Sequence, residues 1–123
     1  MRYYTLAVLA TTAVVPFVTA GSAEKVVSMT DSNSFEPKTI TVKSGDTVIW
    51  KNVSAMSHSV TDVSSLAGDK KDAALPANAK EFNSDFIPPG KDYSHTFTVP
   101  GTYKYFCIPH EAIGMVGTVI VSK

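Results

Sequence analysis

The chain has 123 residues, and its eleven basic residues balance eleven acidic ones, for a formal net charge of zero. No basic stripe stands out, so nucleic acid is a poor partner for it. A single cysteine excludes a disulfide within the chain, and that leftover thiol needs another explanation: a partner chain, a reactive group or a metal.

The first segment does not belong to the folded domain. Arg2 gives a short positive start, no charged residue follows from Tyr3 to Ala23, and Leu6 to Val18 is mostly apolar. Small residues follow at Val18-Thr19-Ala20 and Gly21-Ser22-Ala23, the pattern of a secretory signal peptide with two cleavage points. Cleavage after Ala23 is favoured. An uncleaved membrane anchor is the competing reading, because the uncharged stretch is 21 residues long, enough to span a bilayer. Pro16 and the small-residue end favour the signal. Residues 24–123 then form one domain of 100 residues, large enough for a single core. The expected location is the periplasm, the outer face of the cytoplasmic membrane, or the thylakoid lumen in a photosynthetic organism. Cysteines usually pair in such oxidising compartments.

Beyond residue 23 the chain reads as short strands separated by turns. Lys25 to Met29 is a first strand; Thr39 to Val42 alternates, with Ile40 and Val42 on one face. Ser44-Gly45-Asp46 is a turn, and Thr47 to Lys51 is rich in β-branched and aromatic residues. His58 to Val63 reads as another strand. The stretch 64–81 is polar and alanine-bearing: a long surface connection in which Asp69 to Leu75 makes one or two helical turns before Pro76 stops them. Pro88-Pro89-Gly90 is a hard break. Tyr93, His95 and Phe97 share one strand face, Pro100-Gly101 turns the chain into the strand Thr102 to Cys107, and Val116 to Val121 is the last strand. This punctuation predicts an all-β fold, a sandwich of seven or eight strands. Trp50 and Tyr103 are read as core.

The chemistry concentrates near the C-terminus. In Phe106-Cys107-Ile108-Pro109-His110-Glu111-Ala112-Ile113-Gly114-Met115 a thiol, an imidazole and a thioether sit at spacings of three and eight, and His58 offers a second imidazole upstream. Two imidazoles, one cysteine sulfur and a weak axial methionine are the ligand set of a blue-copper electron-transfer site. Copper prefers different geometries in its two oxidation states, and this set is a compromise between them. Zinc is a weaker rival, since its structural sites use Cys, His and carboxylates without methionine. The predicted metal ligands are His58, Cys107, His110 and Met115, on one type 1 copper ion. The alternatives are an inert buried thiol for Cys107, a surface turn histidine for His110, core packing for Met115, and His95 as rival to His58. His95, between Tyr93 and Phe97, reads better as a packed histidine.

The segment Tyr103 to Val121 resembles the copper loop of the plastocyanins and pseudoazurins, the small blue-copper proteins of the cupredoxin family. Cys107, His110 and Met115 match their Cys-x-x-His-x-x-x-x-Met spacing. Phe35-Glu36-Pro37, Ile40-Thr41-Val42 and Gly45 to Trp50 resemble their N-terminal half, with His58 in the place of the upstream ligand. The resemblance covers nearly all of 25–122, thinning over 64–81. It implies an eight-stranded Greek-key sandwich and one-electron shuttling between larger redox proteins, donor and acceptor; the protein is expected to be a monomer. Two positions depart from the plastocyanin pattern: Ser59 stands for the usual Asn, and Phe106 for the usual Tyr. The first weakens or reroutes a tie between loops. The second argues against docking through a remote acidic patch, leaving an apolar face around His110 (Pro109, Ile113, Gly114, with Met56) as the contact surface. The membrane is a partner only if residues 3–23 are retained. A copper storage or delivery protein is the alternative function. An enzyme is not expected, because copper reductases and oxidases need more histidines than the three present.

Overall fold

Alternation of buried and exposed residues builds the strands of this computed structural model, which describes residues 10–14 and 21–123. In β4 (Thr47–Asn52) Val48, Trp50 and Asn52 point inward, and in β7 (Val116–Ser122) Gly117, Val119 and Val121 do. The signal-peptide reading of 1–23 falls mostly outside the described residues. No helix among them is long and apolar enough to cross a membrane.

Among the described residues, seven strands form two sheets. The others are β1 (Glu24–Met29), β2 (Phe35–Glu36), β3 (Thr39–Lys43), β5 (Asp92–Thr96) and β6 (Gly101–Phe106). One sheet has the order β2-β1-β4-β5, the other β3-β7-β6. The pairs β1–β4 and β3–β7 are parallel, and β1–β2, β4–β5 and β6–β7 antiparallel. Gly45 turns β3 into β4 at φ 98°, a conformation that glycine adopts without the Cβ clash other residues meet. Beside it, the buried carboxylate of Asp46 accepts the backbone N–H groups of Lys43 (2.8 Å) and Ala23 (2.9 Å), which hold it below the usual aspartate range.

Trp50 is fully buried at the centre of the sandwich, its ring edge-on to Tyr105 at 5.3 Å. Tyr105 in turn meets Phe35 edge-on at 4.7 Å. Val27, Val48, Val60, Phe97 and Val119 are among the other core residues, each side chain contributing about 1.5–3 kcal/mol when fully buried. Tyr103 is core as expected, its hydroxyl donating to the Val99 carbonyl at 2.7 Å.

One local expectation is corrected. His58 to Val63 is not a strand: its backbone makes single bridges, His58 with Ile87 and Thr61 with both Asn83 and Phe106. The segment is wedged between neighbours on two sides, so no ladder runs along either. The connection after it holds two short 3₁₀ turns, Ser64–Leu66 and Lys70–Asp72, the second within the 69–75 stretch expected to make one or two helical turns before Pro76. A third 3₁₀ segment, Ile108–Ile113, lies in the C-terminal loop and ends at Gly114 with φ 94°.

Candidate metal centre

Strand β6 delivers Cys107 to one end of the sandwich. The Ile108–Ile113 segment then turns the chain back, and a bond from the Cys107 N–H to the Met115 carbonyl (3.0 Å) closes the loop at its base. The Met115 N–H donates to the His110 carbonyl at 3.2 Å. Cys107 and Met115 are fully buried, while His110 is half-buried at the rim.

His58 comes from the other side. Its N–H donates to the Ile87 carbonyl (3.2 Å) and its carbonyl accepts from Ile87 (2.7 Å), while Thr61 exchanges both backbone bonds with Phe106 (3.1 and 2.9 Å). The buried Asn52 orders the loop before it: Nδ2 donates to the Met56 and Ile87 carbonyls (2.7 and 2.8 Å), and Oδ1 accepts from the Ser54 N–H and hydroxyl (3.0 and 2.6 Å). Sequence reasoning missed Asn52; its position at a strand end before Ser54 was the only signal.

These supports bring three donor atoms together. The two Nδ1 atoms of His58 and His110 lie 3.2 Å apart, and the Cys107 Sγ is 3.7 Å from the first and 3.5 Å from the second. A point in their plane lies about 2 Å from all three, close to the bond lengths that metal ions make with imidazole nitrogen and thiolate. Of the described residues, these are the one group of three His, Cys, Asp or Glu side chains that converges in this way.

A sequence profile for copper-binding proteins of the plastocyanin/azurin family matches residues 22–122. The chain belongs to that family. It is 39% identical over 87 residues to a chloroplastic plastocyanin of Tetradesmus obliquus, an alignment covering 71% of this chain and 57% of that protein. It is 38% identical over 89 residues to the plastocyanin of Scenedesmus fuscus, covering 71% and 85%. Thus it spans little more than half the length of some relatives. Among solved structures it resembles an oxidised amicyanin variant (34% identity, TM-score 0.61, 80% of this chain and 81% of the other). A pseudoazurin from Sinorhizobium meliltoi shares the fold (24% identity, TM-score 0.65, 82% and 75%). Copper is the cofactor of this cupredoxin.

The surroundings tune the donors. Burial pushes the Cys107 thiol up, opposed by the Ser59 N–H and the His110 backbone; the Ser59 N–H donates to Sγ at 3.3 Å. Burial lowers His58, and the neighbouring His110 lowers it further. Its Nε2 is buried without a hydrogen-bond partner. The departure at Ser59 reroutes the tie between loops: the hydroxyl now accepts the Ile108 N–H at 2.8 Å. His95 is packed, as expected, with ring centroids 4.7 Å from Phe82 and 4.8 Å from Phe97, and takes no part in the cluster.

Cys107 occupies the N-cap position of the Ile108–Ile113 segment, where a side chain accepts from the second or third N–H beyond it. The second is Pro109, which has none to give. Pro109→Ala supplies that donor, withdrawing electron density from the thiolate. Its reduction potential by protein-film voltammetry is expected to rise; an unchanged or lower value would contradict this account.

Proposed function

We propose that His58, Cys107, His110 and Met115 hold one type 1 copper ion, and that the protein is a one-electron carrier between larger redox proteins. The observation that carries this reading is the convergence of the two Nδ1 atoms and the Sγ. Bound copper supplies the chemistry, passing between Cu(I) and Cu(II) with one electron. The chain does the rest. Cys107 and His58 are buried beyond reach of water, and the loop bonds hold both histidines in place before the metal arrives. His110, at the rim, is the shortest path from the centre to a partner. Around it Ile108 and Ile113 are exposed hydrophobics, 38% and 67% accessible. With Pro109, Gly114 and Met56 they form an apolar face on which a donor or acceptor docks without strong charge.

Adding Cu(II) to the purified 24–123 domain tests the assignment. An intense blue thiolate-to-copper band, lost in Cys107→Ser, is expected. A colourless protein, or one equally coloured without Cys107, would sink it. Copper retained through repeated redox cycles distinguishes the carrier from a storage or delivery protein, which yields its copper rapidly to a chelator. No turnover of nitrite or oxygen is expected.

The protein is read as exported and monomeric, with residues 1–23 as a signal peptide. Its fold bears on the cleavage point. The Ala23 carbonyl accepts from Thr47 (3.0 Å) and its N–H reaches Asp46; a cut after Ala20 keeps both bonds, and a cut after Ala23 loses them. The intact mass of the exported protein decides between the two.

A further inference from the structure

Glu111 follows the ligand His110 directly, yet its side chain turns away from the copper centre. One carboxylate oxygen accepts the backbone N–H of Gly68 at 2.8 Å and the other that of Asp69 at 3.0 Å. These two donors are consecutive and lie between the 3₁₀ turns Ser64–Leu66 and Lys70–Asp72. Asp69 is itself fixed, since its own carboxylate caps the second turn by accepting the Lys71 N–H at 3.1 Å. The carboxylate therefore joins the ligand-bearing segment to a structured part of the long connection.

The two flanks of that segment are held differently. Its start is fastened inward, where the Ile108 N–H meets the Ser59 hydroxyl. Its end is a left-handed glycine at 114, following a bond from the Gly114 N–H to the Glu111 carbonyl. His110 lies between, with its ring half-exposed. A six-residue 3₁₀ segment is weak on its own. The His110 backbone is bonded within the loop, its N–H donating to the Cys107 carbonyl and its carbonyl accepting from the Met115 N–H, both at 3.2 Å; the Glu111 side chain adds an anchor from outside the loop.

Resting on the copper reading above, we propose that Glu111 is a positioning residue: its two-point grip on Gly68 and Asp69 fixes His110 against His58 and Cys107 in both oxidation states. A hydrogen bond to a charged acceptor is worth more than a neutral one, and the bidentate arrangement sets direction as well as distance. Freeing it leaves the fold intact and loosens one ligand, which opens a route for copper to leave and makes the site rearrange more on electron transfer.

The test compares the native protein with Glu111→Ala and Glu111→Gln. In the apo form, amide hydrogen exchange at Gly68 and Asp69 is expected to accelerate in Glu111→Ala. In the copper form, transfer of Cu(I) to bicinchoninate is expected to speed up by about tenfold, the scale of one lost charged hydrogen bond. The copper hyperfine splitting shifts, and electron self-exchange slows. Glu111→Gln keeps one acceptor oxygen and restores part of each effect. Unprotected amides at 68 and 69 in the native protein would overturn the proposal. So would faster exchange in Glu111→Ala with copper release and hyperfine splitting unchanged, since the grip would then only fasten the connection. If the native protein shows no blue band although those amides are protected, the copper reading has failed, and the positioning role falls with it while the grip itself stands.

Discussion

Gly117→Ala is expected to destabilise the domain by about 3 kcal/mol, lowering the midpoint of thermal unfolding by on the order of 15 °C. A Cβ on Gly117 would lie 2.3 Å from Cζ of Tyr105 and 2.4 Å from its hydroxyl oxygen. The obstacle is a ring and not the loose end of a flexible chain. Tyr105 is fully buried and wedged between Phe35 and Trp50, so it cannot yield without disturbing both. Interiors packed to crystal density accommodate an extra methyl only by moving backbone or leaving rotamer wells. Tyr105 and Gly117 face each other across β6 and β7, and Cys107 lies two residues further along. The same substitution is therefore expected to alter the copper hyperfine splitting as well as stability. Urea unfolding of the apo-protein measures the first effect. A loss below about 1 kcal/mol would mean that the two strands do not approach as closely as described. Pairing the change with Tyr105→Leu, which removes the ring, is expected to recover part of the loss, and the double-mutant cycle isolates that coupling.

The second large effect is a slope with pH. Asp62 is fully buried. One of its oxygens accepts the Phe82 N–H at 2.7 Å, and the other has no partner. Burial raises its pKa to about 6, the Phe82 N–H pulls it back, and Glu81 raises it further. In the unfolded chain the same group titrates near 3.8. Between these values the folded protein binds the proton and the unfolded chain does not, so this group makes stability rise as pH falls. Its contribution is fully present below pH 4 and is lost as the pH climbs through 6. The gap between the folded and unfolded values is worth about 3 kcal/mol. Asp62→Asn cannot ionise and keeps an acceptor for Phe82. Its stability minus that of the native apo-protein is expected to grow by about 3 kcal/mol between roughly pH 4 and pH 7.5, read by urea unfolding at each pH. Other titrating groups cancel in that difference. Parallel curves would show that Asp62 is solvated or paired.

The candidate loop was legible because it is local. Cys107, His110 and Met115 lie within nine residues, and their donor chemistry is unusual enough to survive without a structure. The strands were legible where one face is buried, as in Val48-Ile49-Trp50 and Val119-Ile120-Val121, since alternation writes burial into sequence. His58 to Val63 misled for the same reason. It has β-branched residues, but its backbone partners lie on two sides in single bridges, and composition does not distinguish a ladder from a wedge. Phe35–Glu36 is too short for any pattern. Asp62, Gly117 and Glu111 take their meaning from residues 20, 12 and 43 positions away, and no periodicity reports that.

The placement of β7 has a consequence for how the molecule comes into being. It is the central strand of its sheet, parallel to β3 on one side and antiparallel to β6 on the other. Neither neighbour can pair across that gap until β7 has been made. Closing such distant contacts is slow, on the scale of milliseconds to seconds for sandwiches of this kind. A nascent chain thus holds Cys107 and His110 without the strand that follows Met115. The Cys107 thiol is unburied through that interval, and the loop that places it beside His110 closes only once β7 is in place. Any factor that guards this cysteine from oxidation would have to act before the last seven-residue strand is in place.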